Sequence, residues 1–185
     1  MQSLIFYAAI RNCPKLFRAS VQIADITAEL SCSMIDEIDV KILEILQKNG
    51  RAKRNDLADA VRLSLPSISE RLKKLEDNGI ITGYFATVDH KKLGRDITAF
   101  IFVRVDSSKH YSSFLEHAKQ VDDILECHAI TGEGSHLLKI RTKNTESLEK
   151  LLAKIQAWTG VVSTRTNLVL SSTKETYYIK IDGAR

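Results

Sequence analysis

The chain has 185 residues, 44% of them hydrophobic, 27% charged and 6% aromatic, with a formal net charge of +4. That is room for one domain or two small ones, and it excludes a disordered chain, a collagen and a disulfide-stapled miniprotein. No apolar run approaches the ~20 residues of a membrane span. Residues 4–10 have no basic residue ahead of them to make a signal peptide, and the three cysteines, Cys13, Cys32 and Cys127, form no CxxC pair. A cytoplasmic protein without a structural zinc site, a cofactor or a membrane partner is expected.

Residues 1–33 show no clean period and are an extension without a legible structure; Met34 opens a different text and is a candidate start. From Asp36 the pattern becomes helical, with Ile38, Ile42, Ile45 and Leu46 on one face and Gly50 as the stop. A second short helix is predicted from Arg54 to Arg62, with Leu57, Ala58 and Val61 inward, and Leu63-Ser64 breaks it. The third runs from Leu65 to about Asn78. Ser64 caps it, Pro66 is tolerated in its first turn, and Ile68, Leu72 and Leu75 form its buried stripe. Residues 80–88 are β-rich and interrupted by Gly83, which predicts a short strand or hairpin. The helix–turn–helix domain is therefore 34–88, and the polar stretch 89–97, with Gly94, is a linker.

The remainder, 98–185, has another rhythm. Strands are predicted at 99–105, 124–131, 137–142 and 161–170, with an added edge at 176–181. Helical stripes lie at Tyr111, Phe114, Leu115, Ala118 and Val121, and at Leu148, Leu151, Leu152 and Ile155. The order is βαββαβ, a split-βαβ arrangement with both helices on one sheet face, so the fold class is α+β with two domains. Alternation places Phe100 and Phe102 opposite Ala99, Ile101, Val103 and Val105, with Leu137 opposite Leu138 and Ile140. That second face needs cover, from the chain's own ends or from a second copy; a dimer through Phe100, Phe102 and Leu137 is the expectation.

Residues 51–74 hold seven basic side chains against three acidic ones. A basic face beside a helix–turn–helix suits double-stranded DNA, with the second helix in the major groove. Arg51, Lys53 and Arg54 suit flanking phosphates; Ser64, Ser67 and the nearby helix amides suit phosphate oxygens. Ser69, Glu70, Arg71 and Lys74 occupy the other unburied positions of the second helix. Arg71 reaches a guanine edge or a phosphate, and Glu70 either pairs with Lys73 or Lys74 or accepts a cytosine amino group.

Other chemistry is weaker. The five histidines lack a zincin spacing, and Cys127 and His128, being adjacent on a strand, face opposite ways. Gly132-Glu133-Gly134 is better read as a turn than as a phosphate loop, and Trp158 as core or interface.

The segment from Leu63 through Ile81, and Asp36-Glu37-Ile38-Asp39-Val40-Lys41-Ile42-Leu43 before it, resemble the DNA-binding domain of the Lrp/AsnC (leucine-responsive/asparagine, "feast/famine") regulators. Residues 126–134 and 163–170 resemble that family's effector-sensing (RAM) domain, in the family's order, so the resemblance covers about 34–181. It implies a winged-type helix–turn–helix joined to a βαββαβ domain, in a cytoplasmic transcription regulator that dimerises or assembles into tetramers or octamers and senses an amino acid or related metabolite. The family's effector loop corresponds to Thr131, Gly132, Glu133, Gly134, Ser135 and His136, with Thr164 and Thr166 as facing positions. Where many members carry an aspartate this chain has Ser135, leaving Glu133 as the carboxylate for a ligand ammonium. Where many have a Ser or Thr cap before the second helix it has Lys53, which weakens the cap by about 1 kcal/mol and adds a phosphate contact.

Two other readings have their own signatures. A tetrapyrrole (sirohaem) decarboxylase-like enzyme shares the two-domain layout but requires converging Arg and His residues, and this chain instead keeps Arg71, Lys73 and Lys74. A sensing or assembly protein without DNA binding differs only in failing to bind DNA. The expectation is a DNA-binding regulator and not an enzyme.

Overall fold

Asp36 opens the first helix, and two carboxylates close its start reciprocally. In the computed structural model, which describes residues 35–132 and 134–182, α1 spans Glu37–Lys48. The Asp36 side chain accepts the Asp39 N–H at 2.8 Å, and the Asp39 side chain accepts the Asp36 N–H at 3.3 Å. Two amides that the helix leaves unpaired are thereby satisfied. Helix α2 spans Arg54–Val61. Its cap residue Lys53 has no acceptor to offer, so Asp56 accepts the Lys53 N–H at 3.3 Å from inside the first turn. The chain then turns at Arg62, whose φ of 56° is left-handed, and the Leu63 N–H closes on the Ala58 carbonyl at 3.0 Å.

Helix α3 spans Leu65–Asp77, with Ser64 as its cap and Pro66 in its first turn. Ile68, Leu72 and Leu75 bury against Ile42, Leu43, Leu57 and Ala58. Each such side chain contributes roughly 1.5–3 kcal/mol of burial, enough to hold three short helices together. Gly79, at φ 68°, ends α3. The expected strand or hairpin at 80–88 does not form: Ile80 and Ile81 tuck under the helices, and 82–89 runs on without a pairing partner among the described residues. A β-prone segment needs a neighbouring ladder to become a strand.

The chain divides into two compact units, 87–175 and the residues on either side of it. The predicted edge strand at 176–181 is corrected by this division. It is a segment without regular secondary structure that rejoins the helical unit, where Ile181 packs on the same core as Ile42 and Leu57. The expected extension 1–33 lies outside the described residues.

In unit 87–175, β1 (Ile97–Val105), α4 (Tyr111–Lys119), β2 (Ile124–Ala129), β3 (His136–Thr142), α5 (Thr145–Gln156) and β4 (Val161–Leu168) follow the predicted order. The sheet order is β2-β3-β1-β4, all antiparallel. The period of two is strict in β1 and β3: Ala99, Ile101, Val103, Val105, Leu138 and Ile140 are buried under α4 and α5 with Phe114, Leu151, Ile155 and Trp158. Of the stretch 89–97 read as linker, residues 89–95 form a tight turn in which Asp89 accepts the Lys91 and Lys92 N–H groups and Arg95 pairs with Asp123, and Ile97 already opens β1.

Candidate nucleic-acid interface and effector region

The α2–turn–α3 unit keeps its polar side chains off the buried stripe, and all but one of those expected at DNA stay on its outer side or at its rim. Arg51, Lys53, Arg54, Ser64, Glu70, Lys73 and Lys74 are exposed, and Ser67 and Ser69 are half-buried. The Ser64 hydroxyl accepts the Ser67 N–H at 3.4 Å and lies 2.9 Å from the Ser67 hydroxyl. These two serines therefore shape the start of α3. Arg54 Nη1 donates to Ser69 Oγ at 3.5 Å, bringing a basic residue of α2 against α3. Glu70 forms no ion pair with Lys73 or Lys74 among the described residues, so its carboxylate stands alone in the middle of the exposed face.

The exception is Arg71. Its Nη1 donates to Asp36 Oδ2 at 2.6 Å and Asp39 Oδ1 at 2.8 Å, turning the guanidinium back to the start of α1. Hydrogen bonding to Asp39, then to Asp36, raises the Arg71 pKa. Burial works against the Asp36 carboxylate, but the Asp39 N–H and Arg71 outweigh it and hold its pKa below the ordinary value. The two aspartates were visible in sequence only as helix-start residues. Their partnership with position 71 was signalled by the wheel alone: Arg71 follows Ile68 by three residues and precedes Leu75 by four, so it flanks the buried stripe.

Beyond α3, Tyr84 donates its hydroxyl to Glu76 at 2.9 Å. Burial first, and Glu76 second, push the Tyr84 pKa up to about 12, so the tyrosine stays a neutral donor that pins the outgoing chain to α3.

In the second unit the expected effector loop joins β2 to β3. Ser135 N–H donates to the Val103 carbonyl at 2.9 Å. The Ser135 hydroxyl accepts the Val105 N–H at 3.0 Å, donates to the Val103 carbonyl at 3.2 Å and lies 2.9 Å from His136 Nδ1. Ser135 thus stitches the loop to the end of β1. Gly134 favours this close approach: a Cβ there would lie 3.2 Å from the Val103 carbonyl oxygen, a tight contact that the neighbouring backbone would have to relieve. Thr131 and Gly132 are exposed, and Glu133 lies outside the described residues.

His136 corrects the expectation of an accessible ligand contact. It is buried under α4, its ring 4.6 Å from Phe114 and 4.9 Å from Tyr111. Its parity with Leu138 and Ile140 dictates this. Desolvation lowers its pKa, which favours the neutral ring. Thr164 and Thr166 lie on the same helix-covered side, and Thr164 Oγ1 accepts from Gln156 at 2.9 Å.

The opposite face carries Phe100, Phe102 and Leu137, all half-buried, with Phe102 directly across from Leu137. Charge surrounds this apolar centre. Arg165 lies 4.9 Å over the Phe102 ring. Glu175 bridges Lys139 at 2.6 Å and Arg141 at 2.6 Å, and Glu126 reaches Lys139 at 3.1 Å. A shallow depression beside Phe102 is lined by Arg104, Ser163, Thr164 and Arg165, of which sequence reasoning had singled out Phe102 and Thr164. Among the described residues no cluster of three His, Cys, Asp or Glu side chains suits a metal, and no helix is long and apolar enough to cross a membrane.

A capped α2–turn–α3 pair with a basic approach, followed by a split-βαβ sandwich, defines the class: a helix–turn–helix protein with an appended α/β unit. Two family models match in that order, "Winged helix-turn-helix DNA-binding" over residues 35–82 and "Lrp/AsnC ligand binding domain" over 98–179. The chain belongs to the Lrp/AsnC family. It is 37% identical over 147 residues to the HTH-type transcriptional regulator FL11 of Pyrococcus horikoshii, covering 80% of this chain and 97% of that one. The structure of E. coli AsnC is similar at 33% identity and a TM-score of 0.73, covering 78% of this chain and 97% of that one. A Neisseria meningitidis transcriptional regulator solved as its L-Met complex is similar at 29% identity and a TM-score of 0.76, covering 80% of this chain and 97% of that one.

Proposed function

We propose that this chain is a sequence-specific DNA-binding transcription regulator acting in the cytoplasm, with an amino acid or related small metabolite as its effector. The observation that carries the reading is the exposed face of α3. Glu70 and Lys74 are exposed, with Ser67 half-buried beside them, on a helix held from behind by Ile68, Leu72 and Leu75. Arg51, Lys53 and Arg54 stand beside it for the phosphates. Two copies paired through Phe100, Phe102 and Leu137 would carry two such helices to half-sites one helical turn, or a multiple, apart. The effector is assigned to the loop 131–135, whose backbone groups would hold it, with Glu133 as the sequence's candidate carboxylate for a ligand ammonium, and it acts by favouring one assembly over another. The relatives named above are regulators, and no catalytic step is assigned here.

The test is fluorescence anisotropy on DNA from the gene's own upstream region against random DNA, across a salt series. Preferential binding that weakens log-linearly with salt is expected, the slope counting phosphate contacts. Absence of binding to any duplex at low salt overturns the reading.

A further inference from the structure

Arg71 sits in the recognition helix, where a basic side chain is naturally taken for a DNA contact. Its surroundings point elsewhere. The Asp36 and Asp39 carboxylates offer four oxygens, and each accepts one hydrogen bond. Asp36 Oδ1 takes the Asp39 N–H, Asp39 Oδ2 takes the Asp36 N–H, and the remaining two oxygens take Arg71 Nη1. The Asp39 side chain is only 4% exposed, so its charge is out of water and depends on the guanidinium. The Arg71 side chain is 28% exposed, whereas Glu70, one residue earlier, is exposed outright.

We infer that Arg71 is a positioning residue: it locks α3 to the N-terminus of α1 at one rotation and does not itself touch DNA. The inference rests on the DNA-binding reading. The lock has directional content that apolar packing lacks. Ile68, Leu72 and Leu75 tolerate a small roll of α3 against its neighbours, whereas two charged hydrogen bonds from one nitrogen do not. A roll would carry Ser67, Glu70 and Lys74 away from the base edges together.

The experiment uses the full chain and a duplex enriched from random sequence by the wild-type protein. Affinity is measured across salt for wild type, Arg71→Gln, Asp39→Asn, the double variant and Arg71→Lys. If Arg71 positions the helix, Arg71→Gln and Asp39→Asn each lose about tenfold or more on the enriched duplex. The double variant then loses little beyond the worse single, Arg71→Lys recovers part, and the salt slope stays at the wild-type value. A slope lower by about one in Arg71→Gln, with Asp39→Asn binding like wild type, assigns Arg71 to a phosphate and overturns the inference. Because these variants remove a buried ion pair, the wild-type Arg71 side-chain NMR signal is followed during DNA titration. A signal that stays in place supports the lock, and one that moves strongly as the Asp36 and Asp39 bonds break overturns it. Failure to enrich any duplex strikes the DNA-binding reading instead, and thermal unfolding of the same four variants still decides whether Arg71 and Asp39 are coupled.

Discussion

Gln47 grips the backbone of Ile179 with both ends of its amide. Its Nε2 donates to the Ile179 carbonyl at 3.0 Å, and its Oε1 accepts the Ile179 N–H at 2.7 Å. Beside it the Lys48 ammonium lies 5.7 Å over the Tyr178 ring, and Ile181 reaches the helical core. The segment after Glu175 is therefore a structural part of the DNA-binding unit. Gln47→Ala removes both bonds but leaves the freed peptide in contact with water, so a loss of about 0.5–1.5 kcal/mol is expected. Deleting 176–185 also uncovers the core beneath Ile181 and costs more. Urea unfolding followed separately in the two units checks this. An unchanged midpoint of the helical unit in the deletion would show that the segment contributes nothing to it.

Glu70 is an exposed carboxylate in the middle of α3, with no ion pair to Lys73 or Lys74 among the described residues. A carboxylate there repels phosphate and rewards only a base that offers an amino group. Glu70→Ala is expected to raise affinity for random duplex while lowering the preference for an enriched one by about 1–3 kcal/mol. Paired titrations on the two duplexes measure it. Equal gains on both would mean that Glu70 only repels.

The helices and sheet were legible because burial here is periodic. Ile68, Leu72 and Leu75 recur at helical spacing, and Ala99, Ile101 and Val103 alternate. The same rule applied one residue further would have placed His136 inside with Leu138 and Ile140; its chemistry drew attention to the loop instead. Composition misled at 80–88 and 176–181, where β-prone residues find no ladder among the described residues. Long-range partners left no local trace. Gln47 and Ile179 are 132 positions apart, and Arg71 meets Asp39 across 32. Such pairs follow from tertiary packing, which a periodicity argument does not contain.

His136 is expected to make the sandwich acid-sensitive. Desolvation lowers its pKa from the ordinary 6.5, so the unfolded chain binds the proton more readily than the folded one. Its contribution to stability is therefore complete above the unfolded value and is lost as pH falls through 6.5 toward the folded pKa. His136→Phe keeps an aromatic ring between Tyr111 and Phe114 and removes the titration. Urea midpoints between pH 7.5 and 5, bounded at about one pH unit or more on each side of the histidine value, are expected to fall more steeply for wild type than for the variant. Parallel curves would assign the acid limb to other groups.

The open sheet face supplies the last prediction. Phe100, Phe102 and Leu137 form an apolar centre opposite the helix-covered core, so replacing one of them does not disturb Phe114 or Ile155. An isologous interface duplicates every substitution. Phe102→Lys sets a cation beside Arg104 and Arg165 in each copy and removes the ring under the Arg165 guanidinium. Sedimentation equilibrium is expected to show a dimer for wild type and a monomer for Phe102→Lys at the same concentration, with unchanged far-ultraviolet circular dichroism. The monomer should also lose the gain in affinity that comes from binding two half-sites at once, which for linked sites runs to about 100-fold or more. A variant that stays dimeric would move the interface to another surface and leave the aromatic face to be covered by the chain itself.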